Sequence, residues 1–135
     1  MIKITPYIII ILASFLQPYL VLGWMFGRSN ACWNCLIIEQ TFFDTIYYLI
    51  LPMWAIYFVM NSLKINYRIT ALSISLYFAV VSLIKITIPL FDDRVAAWST
   101  FTQKEMLQTA IYSASPFLIV LSAILFFTLS IVIKK

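Results

Sequence analysis

The chain has 135 residues, of which 64% are apolar and only 10% charged, and its mean hydropathy is +1.01. A water-soluble domain needs roughly a quarter of its residues charged to cover its surface, so the solvent that fits this composition is a bilayer. With no histidine there is no imidazole base, no His-ligated metal and no Ser-His or Cys-His nucleophile pair, and two cysteines are too few for an all-Cys zinc or iron-sulfur site.

Crossing about 30 Å of hydrocarbon takes about 20 apolar residues at 1.5 Å each. Four stretches are long enough or nearly so, and they predict an all-α, single-domain membrane bundle of four transmembrane helices over residues 1–135. The first span runs from about Pro6 to Phe26 and carries Gln17 and Pro18, which weaken or kink it. An alternative makes this stretch a cleaved signal peptide, because Ser29-Asn30-Ala31 puts small residues ahead of Cys32. Its apolar run of about 20 residues exceeds the 7 to 15 of a typical signal core, which favours retention.

Cys32-Trp33-Asn34-Cys35 follows, just before the second span. Two intervening residues permit either a small strained redox disulfide or a static staple at the head of the next helix. The second span, about Phe42 to Ser62, and the third, about Ile69 to Leu90, are joined by Leu63 to Arg68, a stub short enough only to turn an antiparallel hairpin. Asp44 and Lys85 are charges written inside these spans, and intramembrane charge needs a partner or water. Both fall toward the same end of antiparallel neighbours, so an interhelical ion pair is expected, with Glu39 competing for Lys85; snorkelling to separate headgroups and a proton or ion path are the other readings.

The stretch 92–115 is polar but carries helix punctuation. Asp92 or Asp93 would cap a short turn through Trp98, and Thr102-Gln103-Lys104-Glu105 is a capping box. Met106, Leu107, Ala110 and Ile111 then share one face, which predicts an amphipathic helix lying at the membrane surface and leading into the last span, about Pro116 to Ile133.

Orientation follows from Lys and Arg, which are retained on the cytoplasmic side. With the N-terminus inside, Lys3, Lys64, Arg68, Lys134 and Lys135 gather at the cytoplasmic ends without an acid. The other side holds Arg28, Lys85, Arg94 and Lys104 against Glu39, Asp44, Asp92, Asp93 and Glu105. Both termini are therefore expected in the cytoplasm, in a bacterial inner membrane, with the cysteines on the oxidising side. Trp24, Trp33 and Trp98 would then act as anchors at the outer interface. The adjacent aromatic pairs Tyr47-Tyr48, Tyr57-Phe58 and Tyr77-Phe78 point to different helix faces, which suits lipid contact and packing. Scattered basic residues make direct nucleic-acid binding improbable, and no metal site is expected.

From Cys32 the sequence continues Leu36-Ile37-Ile38-Glu39-Gln40-Thr41-Phe42-Phe43-Asp44-Thr45-Ile46, then an apolar helix with Trp54, and ends at Leu63-Lys64. Over residues 32 to 64 this resembles the N-terminal membrane part of TrbL/TraG-type polytopic inner-membrane proteins of type IV secretion and conjugation systems. The resemblance implies a non-catalytic subunit of an envelope assembly, without cofactor, whose partners are the bilayer and other integral membrane proteins. It implies a disulfide between Cys32 and Cys35 at the periplasmic edge, with Glu39, Phe42 and Asp44 setting the head of the second span. A weaker resemblance, to DsbB-like membrane thiol oxidases, rests on four spans with a CxxC before the second. It implies a thiol-disulfide oxidoreductase using quinone, although here no second cysteine pair follows and Glu39 is the first ionic residue after Cys35. Size and topology also suit a small polytopic immunity or exclusion protein.

Overall fold

A computed structural model describes residues 4–25, 37–94 and 102–134. These residues are helical apart from short connections, with no strand among them. They form a first helix, Thr5–Met25, a second over residues 37–62, a third over residues 67–94 and a fourth, Gln103–Lys134.

Three of these helices contain stretches long and apolar enough to cross a membrane: Thr41–Ser62, Tyr67–Asp92 and Gln103–Lys134, of 22, 26 and 32 residues. The apolar part of the first helix for which side chains are described, Thr5–Leu20, is shorter, although the helix itself continues unbroken through Pro18 for 21 residues.

The second and third helices turn back on each other through a tight hairpin. Ile65 N–H donates to Met60 O at 3.0 Å and Lys64 N–H to Asn61 O at 3.1 Å, the paired bonds of a Schellman motif. Lys64 takes the left-handed position, φ 53°, that this motif requires and that glycine usually fills. Two residues later Asn66 caps the third helix, its side chain accepting from Arg68 N–H at 2.9 Å.

Each of the second and third helices contains one π-helical turn, at Thr45–Ile50 and at Ser82–Thr87. Both turns end two residues before a proline, Pro52 and Pro89. The shared cause is steric: a proline ring inside a helix collides with the carbonyl four residues back and has no N–H to give it, and widening the preceding turn relieves both problems. Leu51 N–H accordingly reaches back to Ile46 O and Ile88 N–H to Leu83 O. The Tyr48 carbonyl, which an N–H at position 52 would otherwise serve, accepts instead from the Tyr77 hydroxyl of the third helix at 2.9 Å.

The fourth helix differs from expectation. The amphipathic segment and the last span are one continuous helix, with Pro116 inside it. Its buried residues, Met106, Ala110, Ala114, Leu118, Leu121, Leu125 and Leu129, form a single seam at three- and four-residue spacing. The same seam packs against the bundle on both sides of Pro116, so residues 103–115 continue in line with the apolar helix that follows them. Leu107 and Ile111, expected to share a face with Met106 and Ala110, are 36% and 39% exposed while those two are buried, because the seam is narrower than the apolar arc. The capping box itself forms as expected: the Glu105 carboxylate accepts from Thr102 N–H at 2.9 Å and from its hydroxyl at 2.7 Å, while Glu105 N–H donates to Thr102 Oγ1. Asp92 does not begin a new turn, since the third helix runs on through Arg94; the rest of that expected turn, including Trp98, lies outside the described residues.

Aromatic contacts fix the register of the first helix against the second, antiparallel to it. Phe15 stacks on Phe42 at 5.2 Å, and half a bundle away Tyr7 meets Trp54 and Tyr57 edge-on at 5.5 and 5.0 Å. The adjacent aromatics do divide between faces: Tyr57 is 3% exposed and Phe58 58%.

Candidate functional site

The core is not uniformly apolar. Ser14 and Gln17 of the first helix, Thr41 and Thr45 of the second, and Ser82 and Thr87 of the third are all buried. The alternating direction of the helices, fixed by the Phe15–Phe42 stack and the Gln17–Thr87 bond, gathers these groups in the half of the bundle that contains both π turns. In lipid a buried hydroxyl or amide must find its partner within the protein. Ser14 and Thr45 do so locally, donating to Ile10 O and Thr41 O, each at 2.7 Å. Gln17 does so across the bundle: its Nε2 donates to Thr87 Oγ1 at 2.9 Å, joining residues seventy positions apart.

Two polar atoms in this layer, Gln17 Oε1 and Ser82 Oγ, have no hydrogen-bond partner among the described residues. The π turn is what offers this chemistry. Ser82 and Thr87 open and close it, and with about 4.4 residues per π turn a five-residue separation brings both to one side, whereas an α-helix would set them well apart. Within the layer the bond that crosses between helices is Gln17 to Thr87, which joins the first and third through uncharged groups.

At the rim of the layer lie the intramembrane charges. Lys85 is exposed, and its ammonium sits over the Tyr48 ring, 5.6 Å from the centroid, a cation–π geometry between the third and second helices. Asp44 is half-buried at the start of the π turn of the second helix. The two do not come together as an ion pair; Tyr48, one turn along from Asp44, is the group that meets Lys85. Glu39 belongs to the second helix, which begins at Ile37. Trp24 lies in the last turn of the first helix. Cys32, Cys35 and Trp33 lie outside the described residues.

Gln17 and Thr87 were the residues least visible in sequence. Gln17 read as a weakness of the first span, and the signal that finds it is that an amide amid apolar residues must be hydrogen-bonded if it faces the bundle. Nothing local marks Thr87, because its importance depends on the widened turn before Pro89. No group of three or more metal-ligating side chains occurs among the described residues. No protein-family model matches the chain, and neither does any curated protein or solved structure.

Proposed function

We propose that the chain is a non-catalytic subunit of a bacterial inner-membrane assembly of the type IV secretion or conjugation kind, and that it works by packing its helices against those of other membrane proteins. In this reading the first helix is a fourth span and both termini are cytoplasmic. The support for four crossings is the 21-residue length of the first helix, about 32 Å at 1.5 Å per residue, together with the one-sided distribution of Lys and Arg.

The observation that carries the packing role is a lateral groove of about 390 Å³ between the third and fourth helices. Ala79 and Leu83 form one wall, Ser115, Leu118 and Ser122 the other. Small residues on facing helices let another helix approach closely, and in lipid it is such close packing, aided by interhelical hydrogen bonds, that drives association. Ser122 Oγ is buried and has no partner among the described residues, a group that an incoming helix would satisfy.

The test is site-specific photocrosslinking in cells, with the crosslinker at Val80 or Ile119, which flank the groove, and at Ile8, on the exposed face of the first helix. Adducts identified by mass spectrometry as polytopic secretion components, formed from the groove and abolished by Ser122→Leu, are expected. Only lipid or self-adducts, with the chain running alone in mild detergent, overturn the reading.

A further inference from the structure

At the opposite end of the bundle from the π turns, where the third helix starts and the fourth ends, lies a second open groove of about 730 Å³. Its two halves differ in chemistry. Phe126, Phe127 and Ile131 supply an apolar trough along the fourth helix, while Arg68 and Lys134 stand at its mouth. We propose that this groove binds one anionic phospholipid, its phosphate between Arg68 and Lys134 and an acyl chain along Phe126, Phe127 and Ile131.

Three features of the groove match that occupant and no simpler one. The Arg68 side chain is held in place: its Nε–H donates to the Tyr67 hydroxyl at 3.2 Å and its guanidinium lies 5.8 Å from the Tyr67 ring centroid. Its two terminal amino groups are thereby left as a two-pronged donor of the shape that phosphate oxygens accept. Lys134 contributes a second positive charge in the last turn of the fourth helix, and among the described residues no acidic one lines the groove. One turn back along the fourth helix Ser130 also lines the groove, and its Oγ has no hydrogen-bond partner among the described residues, a polar group beside the place the glycerol and ester oxygens of that lipid would take. A free anion would use the cations and leave the aromatic trough empty, and an uncharged lipid would fill the trough and leave the cations unmatched. Basic pockets between spans on the positively charged side of a membrane protein are where anionic headgroups are retained.

The experiment is native mass spectrometry of the whole chain in mild detergent, offered equimolar dioleoyl phosphatidylglycerol and dioleoyl phosphatidylcholine. One phosphatidylglycerol per chain should be retained in preference. Arg68→Gln and Lys134→Gln should each lower that preference about fivefold, the worth of one cation at a membrane surface. Lys64→Gln removes the same charge from the exposed hairpin without touching the groove and should leave the preference within about twofold. All three positions are exposed, so the variants should fold alike. Equal retention of the two lipids overturns the proposal. So does an equal effect of Lys64→Gln, which would mean diffuse surface attraction. Displacement of phosphatidylglycerol by millimolar inorganic phosphate, with no added retention from long acyl chains over dihexanoyl ones, would mean an anion site only and would overturn it as well.

Discussion

Gln17 is the residue whose burial asks most of its surroundings. It is fully buried, its amide nitrogen is satisfied by Thr87 and its carbonyl oxygen by nothing among the described residues. Gln17→Leu leaves the buried Thr87 hydroxyl unpaired and Thr87→Val leaves the Gln17 amide unpaired, so each alone should cost about 1 kcal/mol. The double variant should recover most of that loss. Reversible unfolding in mixed micelles measures all three; a Thr87→Val cost that persists in the Gln17→Leu background would mean that the 2.9 Å bond is not what couples the first and third helices. Lys85 teaches a related lesson at this scale. Sequence placed it at the right end of the right pair of helices, but the neighbour it meets is the Tyr48 ring, because depth in the membrane is legible from residue number and azimuth around a helix is not once a π turn has intervened.

The helices themselves show why azimuth was lost. Hydropathy marks where an apolar helix runs, and the expected stretches 42–62 and 69–90 fall in the helical stretches Thr41–Ser62 and Tyr67–Asp92, which are long and apolar enough to cross a membrane. The short hairpin and the Thr102–Glu105 box were equally legible, since both depend on residues within one turn of each other. The two π turns were not, although their cause stands in the sequence as Pro52 and Pro89, because a 3.6-residue period carries no sign of where the turn before a proline will widen. The continuity of the fourth helix was not legible either, because it rests on a seam packed on both sides of Pro116 that holds Gln103–Lys134 as one helix. If Pro52 is the origin of the first π turn, Tyr77 is its compensation, donating to the carbonyl that the proline orphans. Tyr77→Phe should then destabilise the bundle by about 1 kcal/mol, and should cost much less in a Pro52→Ala background, where an N–H at position 52 takes over the Tyr48 carbonyl. A full Tyr77→Phe penalty in both backgrounds, read from the same unfolding measurement, would separate the hydroxyl from the proline.

For the molecule as a whole, the decisive contrast is between its interior and its exterior. Among the described residues the buried polar groups are Ser, Thr and Gln, and large apolar side chains are exposed on every helix, from Ile8, Leu12 and Leu16 on the first to Ile119, Ile124 and Phe127 on the fourth. That distribution suits lipid on the outside and hydrogen-bonded contacts within. How many helices cross is then a question about the first one, and it has a topological answer that does not depend on any contact. If the first helix crosses together with the other three, the number of crossings is even and the two ends of the chain share one side; if it lies along the surface or is removed, the number is odd and they do not. The one-sided placement of Lys3, Lys64, Arg68, Lys134 and Lys135 favours the even count, because reversing a single end would carry basic residues to the translocated side. Reporter fusions at residues 1 and 135, each assayed for cytoplasmic and periplasmic activity, should both report cytoplasm. Exchanging Lys134 and Lys135 for neutral residues and adding two lysines between residues 26 and 36 should weaken that result at both ends, since the charge bias acts on all the spans together. A periplasmic reporter at residue 135 with a cytoplasmic one at residue 1 would leave three crossings and take the first helix out of the membrane, and with it the reason for Gln17 to be buried against Thr87.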